Sequence, residues 1–181
     1  TYNKPTLKET HVNCSENNMY RILSSLVLGA MLVAVPVTAD EAAEKAFQNA
    51  VKMTTARQGF MQLQSQQTAA MAAAAAGKAE ITAEVVAAAQ NLVNLSLMLP
   101  DVFGEGSGLD VIDFTRAVPE LWVNVDERDN LIKRLAGQAN RLLVTAESGN
   151  AAEFQNAFKQ LTGTCKKCHE TFRAKTAPRD M

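Results

Sequence analysis

The stretch AAEFQNAFKQLTGTCKKCHETFR, residues 151–173, decides the fold of this chain. Its apolar side chains and its two cysteines follow one another at intervals of four, three, four, three and four residues. These are Phe154, Phe158, Leu161, Cys165, Cys168 and Phe172. Such intervals place side chains on one face of an α-helix. The stretch is therefore predicted to be a helix whose apolar face carries both cysteines between aromatic residues.

Within this helix, residues 165–169 form a Cys-x-x-Cys-His motif. A Cys-x-x-Cys pair alone fits a redox dithiol, half of a zinc site or a disulfide, but the following histidine narrows the choice to c-type haem attachment. Two cysteines three residues apart lie on one helix face, where each can add to a haem vinyl group, and His169 can reach the iron as an axial ligand. We predict one covalently attached haem c per chain, held by Cys165, Cys168 and His169.

Three further helices are predicted before this one. Their apolar residues recur at helical spacing over residues 40–76, 82–99 and 126–148. Each of them ends at a glycine or a proline, namely Gly77, Pro100 and Gly149. Thr82 is the expected N-cap of the second helix, and residues 100–119 are expected to form a long loop. No longer segment alternates apolar and polar residues, so the predicted fold is all-α, an antiparallel up-down four-helix bundle.

The first 39 residues are predicted to precede the mature domain. Residues 19–39, MYRILSSLVLGAMLVAVPVTA, have one basic residue, an apolar stretch and small residues at the end, as signal peptides do. The apolar stretch, residues 22–37, is shorter than the roughly 20 residues of a membrane-spanning helix, so a retained anchor is the less favoured alternative. We predict a non-native upstream extension at 1–18, a signal peptide at 19–39, and a bundle domain at 40–181 that is periplasmic and not membrane-bound after cleavage.

The charge balance excludes one large class of partner. The chain has 18 basic and 19 acidic residues, for a net charge of −1. A nucleic-acid-binding domain carries a clear excess of basic residues, so no nucleic-acid partner is expected.

Cleavage after Ala39 would remove Cys14 and His11, so the only cysteines and the only histidine of the mature chain would be those of the motif. A zinc site needs about four ligands, which the mature chain lacks among its Cys and His residues. A thioredoxin-like dithiol sits at a helix N-terminus in a βαβ unit, whereas this motif lies deep in an all-helical chain near its C-terminus. A disulfide between two cysteines so close in sequence would stabilise the fold little. Since His169 would be the only histidine, a hydrolase, bis-histidine haem and a peroxidase with a second histidine are all disfavoured, and no enzymatic activity is expected.

Residues 40–175 resemble the class II c-type cytochromes, the cytochrome c′ family. The resemblance is carried by residues 165–173, CKKCHETFR, by residues 115–122, TRAVPELW, and by the pair Arg57 and Gln58. In that family the attachment motif lies near the C-terminus of a four-helix bundle.

The resemblance also implies further haem-binding residues. The family residues that match Arg57 and Gln58 contact the haem edge, and an arginine can bind a propionate carboxylate through two hydrogen bonds. The family segment that matches Thr115 and Arg116 packs over the same edge. These four residues are therefore expected to contact the haem.

Met61 lies one helical turn after Arg57, and the resemblance implies that it faces the distal side of the haem. In five-coordinate members a bulky residue here shields the iron, and in low-spin relatives a methionine here is the sixth ligand. Thioether ligation raises the reduction potential and favours electron transfer, whereas an open position favours gas binding. Both roles of Met61 remain open at this point.

Two functions are compatible with these features. The first is a periplasmic haem protein that exchanges single electrons with redox partner proteins. The alternative is a pentacoordinate haem module that binds nitric oxide or carbon monoxide without turnover. The resemblance further implies a homodimer formed through the first two helices.

The proposed signal peptide generates a direct prediction. The exported protein is expected to begin at Asp40, because the small residues Val37-Thr38-Ala39 suit signal peptidase. N-terminal sequencing of the periplasmic form measures this. We also expect Met19 to be the true initiator, because signal peptides begin at or near the first methionine. A mature start upstream of Met19 would contradict both expectations.

Overall fold

The structure, a computed structural model, describes residues 39–178. The predicted extension at 1–18 and, apart from Ala39, the predicted signal peptide lie outside the described residues. Four long helices form the bundle: α1 (Ala39–Ala75), α2 (Ala83–Met98), α4 (Val125–Glu147) and α5 (Ala151–Phe172). A 3-10 turn (Leu99–Val102) extends α2, and a short helix, α3 (Glu120–Val123), precedes α4. The predicted all-α, up-down four-helix bundle is confirmed, and over residues 39–178 the only β-type pairing is one isolated bridge.

The helix ends follow local chemistry. Gly77 and Gly149 adopt φ of +68° and +67°, the left-handed conformation in which glycine ends a helix without strain. Asn150 caps α5, because its side-chain oxygen accepts a hydrogen bond from the backbone N–H of Glu153 at 3.2 Å. Thr82 occupies the N-cap position of α2, as predicted. Thr82 makes no side-chain cap hydrogen bond there, and its hydroxyl instead lowers the pKa of the Glu84 carboxyl by hydrogen bonding.

The core lies between all four long helices. α2 packs against α1 and α4, and α5 packs against α4 and α1. The largest fully buried side chains include Met71 of α1, Leu142 of α4, and Phe154 and Leu161 of α5. Burial of such side chains supplies most of the free energy that holds a helix bundle together. Phe154 and Leu161 belong to the same face as the two cysteines, so this burial also orients the motif.

One helix of the described residues is apolar enough to cross a membrane. The stretch Ala83–Val102 meets that test by length and composition. In the bundle it buries Val85, Ala89 and Leu92 against its neighbours, as a core helix does. The bundle therefore accounts for its apolar character.

The long connection between α2 and α4 is held in place by hydrogen bonds to the chain that follows α5. The backbone N–H of Val118 donates to the Phe172 carbonyl at 3.2 Å, and that of Ala174 donates to the Arg116 carbonyl at 2.8 Å. A small apolar cluster of Ala117, Leu121, Leu131 and Phe172 lies beneath it. The loop was predicted from its glycine and proline residues and its mixed polar composition. This pairing, which the sequence did not indicate, places residues 115–117 beside the end of α5.

Candidate haem site

The two cysteines and the histidine occupy the last turns of α5 and face a common cavity. Cys165, Cys168 and His169 are half-buried and line a cavity of about 200 Å³. Cys168 and His169 also line an adjoining cavity of about 510 Å³. The α5 face that buries Phe154 and Leu161 continues into the motif, so helical periodicity alone brings the three groups to these cavities.

The electrostatics of the motif keep both thiols protonated and suit metal ligation by the histidine. Burial raises the pKa of the Cys165 thiol, and burial together with Cys165 and Glu127 raises that of Cys168 to about 11. Burial lowers the pKa of His169, and the positive charges of Arg173 and Arg116 lower it further. Near neutral pH the imidazole is therefore neutral, which is the form that binds a metal.

The two cavities differ in polarity. The smaller cavity has no lysine, arginine or acidic residue in its lining, and its apolar lining residues include Leu92, Leu99, Phe103, Leu135, Ala139 and Leu161. The larger cavity is lined by four basic residues, Arg57, Arg116, Arg173 and Lys175, and by no acidic residue. Haem has an apolar macrocycle and two anionic propionates at one edge. A continuous site with an apolar end, a basic end and the Cys-x-x-Cys-His motif between them fits that group.

Arg57 is a buried cation held by the α2–α4 connection. Its side chain is only 5% exposed, which excludes a solvated surface role. Its guanidinium donates hydrogen bonds to the Ser107 hydroxyl at 2.7 Å, the Ser107 carbonyl at 2.7 Å and the Thr115 hydroxyl at 3.0 Å. It also lies 5.7 Å from the centre of the Trp122 ring, a cation–π distance. Burial lowers its pKa, so these contacts offset part of a desolvation cost.

The remaining predicted residues line the same cavities. The Gln58 amide donates to the Phe114 carbonyl at 2.9 Å, and the Arg116 guanidinium donates to the Lys175 carbonyl at 3.0 Å. Met61 is half-buried and borders both cavities. All eight predicted site residues thus line one continuous site: Arg57, Gln58, Met61, Thr115, Arg116, Cys165, Cys168 and His169.

Sequence reasoning missed several residues of the site. Ser107 has no motif around it, and its role as a double acceptor for Arg57 arises only from the fold of the loop. Phe103 borders both cavities but lies beyond the last helical repeat of α2. Lys175 lies after α5, where no periodicity remains. One further lining residue, Gln64, could have been predicted from the sequence. It follows Met61 by three residues and therefore lies on the same face of the helix.

A four-helix bundle in which a Cys-x-x-Cys-His helix faces an apolar and basic cleft defines a c-type cytochrome of the helical-bundle class. The family model for cytochrome c′ matches residues 52–173. The chain belongs to the cytochrome c′ family and binds a covalently attached haem c.

Individual relatives agree with this assignment. Cytochrome c-554 of Cereibacter sphaeroides is 29% identical over 159 residues, which are 86% of this chain and 99% of the relative. A solved cytochrome c′ described as having a ligand-controlled dimer dissociation superposes with a TM-score of 0.63 at 27% identity, covering 70% of this chain and 97% of that one. A nitric oxide complex of a cytochrome c prime mutant from Alcaligenes xylosoxidans gives a TM-score of 0.61 at 25% identity, covering 71% and 97%.

The Arg57 contacts generate a stability prediction. Arg57→Lys is expected to lower the free energy of unfolding by about 1.5–3 kcal/mol, because a lysine cannot reproduce the forked hydrogen bonds to Ser107 and Thr115. Denaturant unfolding measures the loss, and amide hydrogen exchange at residues 109–115 should rise with it. Arg141→Lys, an exposed arginine of α4, is the matched control and should change stability by less than about 0.5 kcal/mol. Equal effects of the two variants would contradict a restraining role for Arg57.

Proposed function

We propose that this protein carries single electrons in the periplasm, with its haem joined to Cys165 and Cys168 and ligated by His169. The observation that carries the proposal is the convergence of two thiols, an imidazole and a basic cleft on one site. The haem, when bound, supplies an iron that alternates between the ferrous and ferric states. The protein would fix the position of that group and surround it with apolar side chains at one end and basic side chains at the other.

The basic end of the site supports this role. Arg57, Arg116, Arg173 and Lys175 bring four positive charges to a cavity that has no acidic lining residue, which favours two propionate carboxylates there. Arg57 is already oriented by Ser107 and Thr115, so little side-chain entropy remains to be lost on binding. Gln58 supplies a further polar group at the exposed rim of the same cavity.

The apolar end limits the access of water. Leu92 and Leu99, Leu135 and Leu161 line the smaller cavity from the α2 segment, α4 and α5, and Phe103 lines both cavities. Removal of water lowers the reorganisation that accompanies a change of charge and strengthens nearby electrostatic interactions. These are properties that an electron-transfer site requires.

Gas binding is the alternative to electron transfer, and one feature of the smaller cavity favours it. The smaller cavity is lined along α1 from Met61 as far as Thr68, so it continues beyond Met61. The similar cytochrome c prime mutant was solved as a nitric oxide complex. In this proposal Met61 acts as a steric gate, and the iron keeps one position open to nitric oxide or carbon monoxide.

Exposed apolar residues on the first two helices support a homodimer. Phe47 and Leu63 of α1 and Leu97 and Met98 of α2 are exposed apolar residues on the two helices proposed to pair. One similar structure is described by its ligand-controlled dimer dissociation.

We further propose that residues 19–39 direct export and that residues 40–181 form the mature periplasmic domain, as expected for a c-type cytochrome.

The attachment residues can be tested by mass spectrometry of the denatured protein. Cys165→Ser and Cys168→Ser are each expected to retain haem through the remaining thioether, and the double variant is expected to lose covalent haem completely. Lys167→Ser, an exposed position between the cysteines, is the control and should keep its haem. Covalent haem in the double variant would refute the assignment of these cysteines.

The coordination of the iron can be tested with optical spectra. The ferrous protein is expected to show a broad high-spin band that shifts with carbon monoxide. Met61→Ala should bind the gas faster, because it removes side-chain volume at the boundary of both cavities. Val144→Ala, exposed on α4 and outside both cavities, should bind it at the parental rate. Sharp low-spin bands that carbon monoxide does not move would make Met61 the sixth ligand and the protein a dedicated electron carrier.

A further inference from the structure

Three exposed cations gather at the mouth of the larger cavity. Arg116, Arg173 and Lys175 line that cavity, and all three residues are exposed. The backbone brings them together, because Ala117 and Arg173 form an isolated β-bridge. The Arg116 guanidinium also donates a hydrogen bond to the Lys175 carbonyl at 3.0 Å. Two segments that are distant in sequence therefore place three positive charges on one surface.

None of these three cations forms an ion pair with a carboxylate within residues 39–178. The ion pairs of that part of the chain are Arg128 with Asp129 and Lys166 with Glu170. Burial lowers the pKa of the Arg173 guanidinium, and the positive charge of Arg116 lowers it further. Like charges held side by side repel one another, so the arrangement favours an anion at this surface.

The haem propionates account for only part of this charge. Together with the buried Arg57, the three exposed cations give the larger cavity four basic lining residues and no acidic one. Two propionate carboxylates would balance two of these charges and leave a net charge of about +2 at the mouth. The chain as a whole has a net charge of −1, so the excess of positive charge is local to this surface.

The acidic residues of the adjacent α2–α4 connection do not cancel this excess within the cavity, because none of them lines it. They are Asp101, Glu105, Asp110, Asp113 and Glu120.

We propose that Arg116, Arg173 and Lys175, here called the basic patch, dock a redox partner protein that carries carboxylates around its own redox centre. This docking role rests on the proposed electron-transfer function and specifies the chemistry of the partner. Cys168 and His169 line the cavity that the basic patch surrounds, so a partner bound there lies beside the haem edge. One electron then passes between the two redox centres, and no atom is transferred.

Opposite charges on the two proteins would act mainly on their encounter. Complementary potentials steer diffusing partners, raise the association rate and fix the orientation of the complex, and salt weakens all three effects. The proposal can therefore be tested through the charge of the reagent that meets the haem edge.

The first experiment compares two one-electron oxidants of opposite charge. Stopped-flow kinetics follow the oxidation of the ferrous haem-loaded protein by hexacyanoferrate(III), an anion, and by tris(phenanthroline)cobalt(III), a cation. Each oxidant accepts one electron and leaves the protein in the ferric state. As salt is lowered, the anionic oxidant is expected to react faster and the cationic oxidant more slowly.

Lys175→Glu reverses one charge of the basic patch and keeps the contact to Arg116, which uses the backbone carbonyl of residue 175. At an ionic strength of about 0.01 M, this variant is expected to slow the anionic oxidant about tenfold and to accelerate the cationic oxidant by a similar factor. A change in reduction potential would move both rates in the same direction, so opposite shifts isolate the effect of surface charge. Lys133→Glu, exposed on α4 and outside both cavities, is the matched control and should change each rate by less than about twofold.

The second experiment measures binding without electron transfer. Isothermal titration calorimetry of the haem-loaded protein uses a short polyglutamate peptide as the probe of an acidic surface. The parent and Lys133→Glu are expected to bind the peptide at low salt, and Lys175→Glu is expected to bind it about tenfold more weakly. A polylysine peptide of the same length should not bind.

Equal peptide binding by the parent and Lys175→Glu would overturn the proposal, and so would rates that shift in the same direction with both oxidants. A parent that holds covalent haem but exchanges electrons with neither oxidant would instead refute the proposed electron-transfer function. The peptide titration does not depend on electron transfer, so the two failures are distinguishable.

Discussion

The register of α5 is the constraint on which the rest of the site depends. Phe154 and Leu161 are held in the core by burial, and seven residues separate them, so the face that they define is fixed along the whole helix. Cys165, Cys168 and His169 lie farther along that helix and open onto the cavities. A rotation of α5 that moved the motif away from the cavities would also expose its aromatic and aliphatic anchors, which makes such a rotation costly. Packing of the N-terminal half therefore positions the chemistry of the C-terminal half.

A second constraint comes from the buried charge of Arg57. No carboxylate pairs with it among its hydrogen-bond partners, which are the hydroxyl and carbonyl oxygens of Ser107 and the hydroxyl of Thr115. Neutral acceptors satisfy the N–H groups of a guanidinium but leave its positive charge uncompensated. The charge therefore extends into the larger cavity, where it adds to those of Arg116, Arg173 and Lys175. The loop is ordered by the same contacts that give the cleft its electrostatic character.

Helix periodicity allowed most of the fold and the centre of the site to be predicted from sequence. Intervals of three and four residues identify the four long helices, and Gly77 and Gly149 identify two of their ends correctly. Residues that act through the tertiary fold of a loop were not predictable in this way. Ser107 becomes an acceptor for Arg57 only because the loop turns its hydroxyl and carbonyl to the same side, and short-range sequence patterns do not encode that turn. Gln64 illustrates a different limit, since its helix face was predictable but the absence of a partner for its amide depends on the packing of three other helices.

The pairing of residues 116–118 with the chain after α5 has a consequence for the order of assembly. Contacts within and between neighbouring helices form early in folding, whereas a pairing between segments so distant along the chain requires a large loop to close first. Until that closure, the end of α5 lacks the backbone hydrogen bonds that join it to Arg116 and Val118. The pairing is therefore expected to be among the last contacts to form, after the helices have packed.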